Sequence, residues 1–153
     1  MAAVQRLKHE DNVPTKLDKS LIDDYWLSFI DDLLSSGNVS EAVLYNLMTG
    51  DILAASPQSF RLFADEYEHI VTSFNKPIVF RRSGFKVNGC GYKLHMADGR
   101  MGLMGKIGMP ARGCSVCKTL SLLVVATHDE TMSASKCNDV IMNMGDFFRR
   151  KGM

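Results

Sequence analysis

Apolar residues recur at helical spacing early in the chain. Leu21, Ile22, Tyr25, Trp26, Phe29, Ile30, Leu33 and Leu34 fit one helix face without a miss. Ser20 is placed to cap that helix, with Asp23 where a capping-box acid belongs, and Ser35-Ser36-Gly37 stops it. Ala42–Met48 and Ile52–Ala55, joined by Thr49-Gly50-Asp51, predict a hairpin. Leu62–Phe74 predicts a second helix, with Phe63, Tyr67, Ile70, Val71 and Phe74 on its apolar side and Asn75-Lys76-Pro77 at its end. From Ile78–Phe80 onward the pattern reads as β. Phe85–Val87 and Gly91–Met96 flank Asn88-Gly89-Cys90, whose Asn-Gly pair is a strong hairpin signal. Asp98-Gly99 leads into Met101–Ile107, and a loop with Gly108, Pro110 and Gly113 precedes Cys114–Lys118. Leu120–Thr127 is almost wholly apolar, the mark of a central strand buried on both faces. A last helix is expected from about Ser133 to Lys151, striped by Cys137, Val140, Ile141, Met144, Phe147 and Phe148. Arg149, Arg150 and Lys151 suit its negative dipole end, and Gly152 its stop.

The plan is helix, hairpin, helix, antiparallel meander, helix. Residues 1–19 are polar, carry Pro14, show no helical period and read as a flexible arm before one domain over residues 20–153. At about 100° per residue, the eight apolar positions of the first helix fan over roughly 220°, against about 100° for a helix lying on a sheet. Some of Tyr25, Trp26 and Phe29 are therefore expected to overhang the core. If both end helices share a sheet face, their edges form an aromatic shelf suited to proline-rich peptides, which are extended before they bind. The same rings also suit a plain core.

Charge adds a second feature. Residues 1–75 hold 5 Lys/Arg against 12 Asp/Glu, a net of −7; residues 76–153 hold 13 against 5, a net of +8. Such a split fits separate faces for separate partners, or scatter over a solvated surface. No run of about 18 apolar residues suggests a membrane span, and residues 1–12 lack the apolar stretch of a secretory signal. A cytosolic setting follows, in which the four cysteines stay reduced. Cys114-x-x-Cys117 has the spacing of half a zinc site, but no second pair accompanies it, and residues three apart on a strand face opposite ways. Free thiols, with no metal or cofactor, are the expectation. The histidines at 9, 69, 95 and 128 are scattered, Asp23-Asp24 and Asp31-Asp32 read as solvent-facing, and no nucleotide-binding loop occurs. The chain reads as a binding module and not an enzyme. A pI near 7.7 argues against nucleic acid.

Trp26-Leu-Ser-Phe29-Ile-Asp31-Asp-Leu33 resembles the N-terminal W-x-x-Y-x-D-x-L of profilins, and Ile52-Leu53-Ala54-Ala55-Ser56 their V-W-A-x-S strand. Cys137-Asn138, Met144-Gly145-Asp146-Phe147 and the ending near Gly152 resemble the family's C-terminus, with Lys118-Thr119 in register. The resemblance covers residues 21–153. It implies an α+β fold, a central antiparallel sheet with the N- and C-terminal helices on one face and a smaller helix on the other. It also implies a cytoplasmic, cytoskeleton-associated protein with three partners: monomeric actin, proline-rich segments and phosphoinositide lipids. For proline-rich segments it points to Tyr25, Trp26, Phe29, Leu53, Met144, Phe147 and Phe148. For actin it points to Lys106, Lys118, Lys136 and Asp139. For lipids the candidates are Arg81, Arg82, Lys86, Arg149, Arg150 and Lys151. The family's second shelf tryptophan falls at Leu53, its first tyrosine at Phe29 and its C-terminal tyrosine at Phe147. Weaker or altered proline binding is implied. Basic positions of common profilins fall at Gly91 and Met104, a pattern similar to divergent, testis-type members. The main expectation is an actin-monomer-binding regulator that also takes proline-rich partners. The second is a phosphoinositide or partner adaptor with weak or lost actin binding.

Overall fold

The computed structural model describes residues 19–98 and 102–153. The expected arm lies outside the described residues, apart from Lys19, which opens the first helix. In chain order the elements are α1 (Lys19–Ser35), β1 (Glu41–Asn46), β2 (Ile52–Ser56), α2 (Ala64–Ser73), α3 (Pro77–Ser83), β3 (Phe85–Val87), β4 (Cys90–Ala97), β5 (Gly102–Ile107), β6 (Arg112–Lys118), β7 (Leu122–His128) and α4 (Ala134–Arg150). The strands form one seven-stranded sheet in the order β2-β1-β7-β6-β5-β4-β3, every pair antiparallel.

The sheet separates two cores. Strand alternation sends Ala42, Leu44, Leu122, Val124 and Ala126 to one face, where α1 and α4 cover them with Phe29, Ile30, Leu33, Cys137, Ile141 and Phe148. Val43, Tyr45, Leu123 and Val125 turn to the other face, beneath Phe60, Ile70, Phe74 and Phe80 from α2, α3 and the segment before them. β7 sits between β1 and β6 with all seven residues buried: the apolar run Leu122–Ala126 fits a strand covered on both faces, and Thr127 and His128 are buried at its end. The two end helices therefore share a face, as the resemblance implies. Cys117 joins the first core and Cys114 the second, so the C-x-x-C thiols stand on opposite faces.

Several local expectations change. Ile78–Phe80 belongs to α3, not to a strand. Pro77 occupies the first helical turn, where its fixed φ fits and its missing N–H costs nothing. Three apolar residues are too few to show a period. α2 begins at Ala64, with Phe63 as its N-cap. Leu120 stands 79% exposed in the turn before β7. Tyr25, Trp26 and Phe29 do not overhang the core; they are 7%, 9% and 1% exposed. At about 100° per residue these three lie inside the apolar arc. The exposed leucines are Leu21, at one rim of the arc, and Leu27, just beyond the other.

Two turns matter for the sites. Asn88 (φ 51°) and Gly89 (φ 83°) form the two-residue turn between β3 and β4 in the left-handed conformation that Asn-Gly favours. At the end of α4, Gly152 (φ 79°) lets Met153 N–H donate back to the Phe148 carbonyl at 2.8 Å. The Met153 oxygen then accepts from Ser121 N–H at 2.7 Å, Ser121 Oγ at 2.9 Å and Thr119 Oγ1 at 2.8 Å. These bonds pin the end of α4 to the β6–β7 turn.

Candidate functional site

The seven residues expected to hold proline-rich segments come together. Tyr25 meets Trp26 and Phe29 at ring-centroid distances of 5.0 and 5.2 Å, both edge to face. Phe29 reaches across to α4, 4.9 Å from Phe148 and 5.8 Å from Phe147, and Trp26 lies 6.4 Å from Phe148. Offset and edge-on rings at these separations attract beyond the area they bury. Leu53 of β2 and Met144 and Phe147 of α4 are half-buried against the same cluster. The cluster has two depths. Phe29 and Phe148 are buried, while Leu53, Met144 and Phe147 form its outer layer with Ile22 and Met153. Met153 was missed in the sequence, because its place is set by hydrogen bonds to Thr119, Ser121 and Phe148 that no sequence pattern shows. Burial raises the Tyr25 phenol, which stays protonated and able to donate at neutral pH.

The basic candidates divide. Arg81, Arg82 and Lys86 line an open groove of about 1040 Å³ between α3, β4 and the β5–β6 turn. Lys93, His95 and Lys106 line it too, and among the described residues its lining holds no Asp or Glu. Lys93 and His95 were missed; both lie on β4, whose register against β5 shifts at His95, so the sequence alternation does not carry through. Lys106 falls here and not in a cluster with the other actin candidates. Lys118 lies at the far end of β6, with its Nζ 5.8 Å from the Phe74 ring centroid. Lys136 and Asp139 are exposed in the first half of α4.

Arg149, Arg150 and Lys151 stand apart from the groove. Arg149 is bent inward: Nη1 pairs with Asp146 at 2.9 Å, and Nη2 donates to the Lys118 carbonyl at 2.8 Å and lies 3.5 Å from Cys117 Sγ. Burial pushes the Cys117 thiol up, and Arg149 opposes that rise. Lys151 Nζ lies 5.7 Å from the Phe147 ring centroid, so this cation edges the aromatic cluster. Arg150 is exposed.

The Profilin family model matches residues 24–153. The chain belongs to the profilin family. Profilin-4 of Bos taurus is 34% identical over 124 residues, covering 80% of this chain and 93% of that protein. The profilin of Saccharomyces cerevisiae is 25% identical over 122 residues, covering 80% and 94%. Among solved structures, Acanthamoeba castellanii profilin IB superposes with a TM-score of 0.74 at 23% identity, over 84% of this chain and 99% of that one. Mouse profilin IIa, solved in complex with a double repeat from the FH1 domain of mDia1, superposes at 0.69 with 20% identity, over 84% and 99%. Both structures show the same fold. Among the described residues no helix is long and apolar enough to cross a membrane, and no three His, Cys, Asp or Glu form a group able to hold a metal ion.

Proposed function

We propose that this profilin binds monomeric actin, regulates actin assembly, and also engages proline-rich segments, without catalysing a reaction. Family membership over residues 24–153 carries the reading. The complex of mouse profilin IIa with an FH1 repeat supports the second half of it. On this reading Phe147, Leu53 and Met144 offer the flat apolar surface, with Tyr25, Trp26, Phe29 and Phe148 as its rigid floor. A proline-rich peptide loses little conformational entropy on docking, so a shelf with few donors still binds it. One missing net hydrogen bond costs about 1 kcal/mol, or roughly fivefold in affinity. The actin surface is assigned to Lys106, Lys118, Lys136 and Asp139.

The test has two arms: the lag of spontaneous actin assembly, and Trp26 fluorescence during titration with polyproline. A longer lag and a saturable spectral change support the proposal. No response in either arm at several hundred micromolar, a Kd that would represent only about 5 kcal/mol, would sink it.

The acid-free groove favours a second role as a phosphoinositide adaptor. Arg81, Arg82, Lys86, Lys93 and Lys106 bring five cations to one concave surface. Each basic group near an anionic bilayer contributes about 1 kcal/mol. Binding to phosphoinositide vesicles should weaken with salt and be lost in the double variant Arg81→Ala/Arg82→Ala; indifference to both would count against it.

A further inference from the structure

Glu66 is a charged residue that is only 4% exposed. It is the third residue of α2, and the N-cap position before it, Phe63, has no side-chain oxygen to cap with. The Glu66 carboxylate supplies the cap itself, with Oε1 accepting from Phe63 N–H at 2.8 Å. The same carboxylate reaches across to a different part of the chain. Oε1 also accepts from Asn88 N–H and Oε2 from Gly89 N–H, both at 2.7 Å. These are the two amides of the turn joining β3 to β4. Asn88 and Gly89 are themselves exposed, so the bonds anchor a turn that solvent would otherwise hold.

That turn leads directly into the basic groove. β3 has three residues, pairs only with β4 and forms the edge of the sheet. So short an edge strand contributes little hold of its own. Yet Lys86 of β3 and Lys93 of β4 line the groove together with Arg81 and Arg82. We infer that Glu66 is the positioning residue of this groove: by clamping the Asn88-Gly89 turn to the start of α2, it fixes where Lys86 and Lys93 present their charge to an anionic ligand. The helix N-terminus favours the carboxylate's charge, and three N–H donors satisfy it without a cation. The inference rests on the groove being an anion-binding surface.

The decisive variant is Glu66→Gln, studied in the full chain. Its amide accepts at one atom only, so at least one turn N–H loses its partner. Amide exchange at Asn88 and Gly89 should accelerate by about tenfold or more. Affinity for phosphatidylcholine vesicles containing phosphatidylinositol bisphosphate should fall severalfold. The direction is diagnostic, because removing a negative charge would by itself strengthen binding to an anionic surface. Trp26 fluorescence with polyproline should stay unchanged, which separates hairpin displacement from general unfolding. Faster exchange with equal or tighter vesicle binding overturns the inference, as does unchanged exchange. If the wild-type chain does not bind the vesicles, the groove reading itself fails. The positioning role is then decided by the Lys86 and Lys93 amide resonances, which must shift in Glu66→Gln to support it and stand still to refute it. If Glu66→Gln does not fold, Glu66→Asp takes its place: it keeps the charge but ends short of the turn.

Discussion

Gly145 sets two effects of opposite sign against each other. Alanine is the better helix former by about 1 kcal/mol. A Cβ at position 145 would stand 2.4 Å from Cys117 Sγ, which is fully buried in β6. Overpacking a closed site costs about 1–3 kcal/mol, so Gly145→Ala should lower the urea midpoint. A raised midpoint would mean that α4 rides higher on β6 than the structure shows. Cys137 makes a different prediction. Burial pushes its thiol up to about 11, so the folded state keeps the proton more tightly than the unfolded chain. Its contribution is complete below the unfolded pKa of about 9 and is lost as pH rises from there through 11. Stability under reducing conditions should fall by up to about 3 kcal/mol over that window. Cys137→Ala should remove that part of the slope, and an unaltered slope would place its source elsewhere. Cys114 and Cys117 are raised in the same direction and add to the alkaline loss in the wild type.

Two adjacent rings on α4 have different work. Phe148 is fully buried against Trp26 and Phe29, whereas Phe147 is half-buried and carries Lys151 over its ring. Phe148→Ala should cost about 3–5 kcal/mol of stability. Phe147→Ala should cost much less and should weaken polyproline binding more than its stability loss explains. Equal effects of the two variants on both readouts would refute this division. On β2, Leu53→Trp should restore an indole to the outer layer and tighten proline binding by about fivefold. No gain would mean that Leu53 lies outside the contact. At this scale the sequence was informative wherever a period ran long enough. The eight apolar positions of α1 and the striped α4 were legible, as was the Asn-Gly hairpin, although Cys90, read as part of the connection, pairs with Val87 in the ladder. The helix at Pro77–Ser83 was not, because one buried residue, Phe80, defines its face. Nor was the burial of Tyr25 and Trp26, which depends on where α4 lies, a contact between the two ends of the chain.

Across the whole molecule two surfaces are built from different residues. The aromatic cluster lies under α1 and α4, and the basic groove lies between α3, β4 and the β5–β6 turn, with no lining residue in common. A ligand at one need not disturb the other, which suits a protein that joins partners. The charge difference between the two halves of the sequence hinted at this separation but did not locate the groove. Arg81, Arg82 and Lys86 are close in sequence and were found together. Lys93, His95 and Lys106 reach the same groove only through the pairing of β4 with β5. Glu66 gave no signal at all, since its partners Asn88 and Gly89 lie more than twenty positions away. The actin candidates are the reverse case. The resemblance brought Lys106, Lys118, Lys136 and Asp139 together in one group, and the fold spreads them over both sides of the sheet.

The actin assignment is thus the claim that rests most on kinship and least on a single cluster, and one measurement reaches it directly. In a spontaneous assembly assay, the full chain at concentrations equal to actin should lengthen the lag and lower the initial rate in proportion to the amount added. An unchanged time course up to several hundred micromolar chain, with polyproline still altering Trp26 fluorescence, would contradict the account and leave a profilin fold that serves other partners.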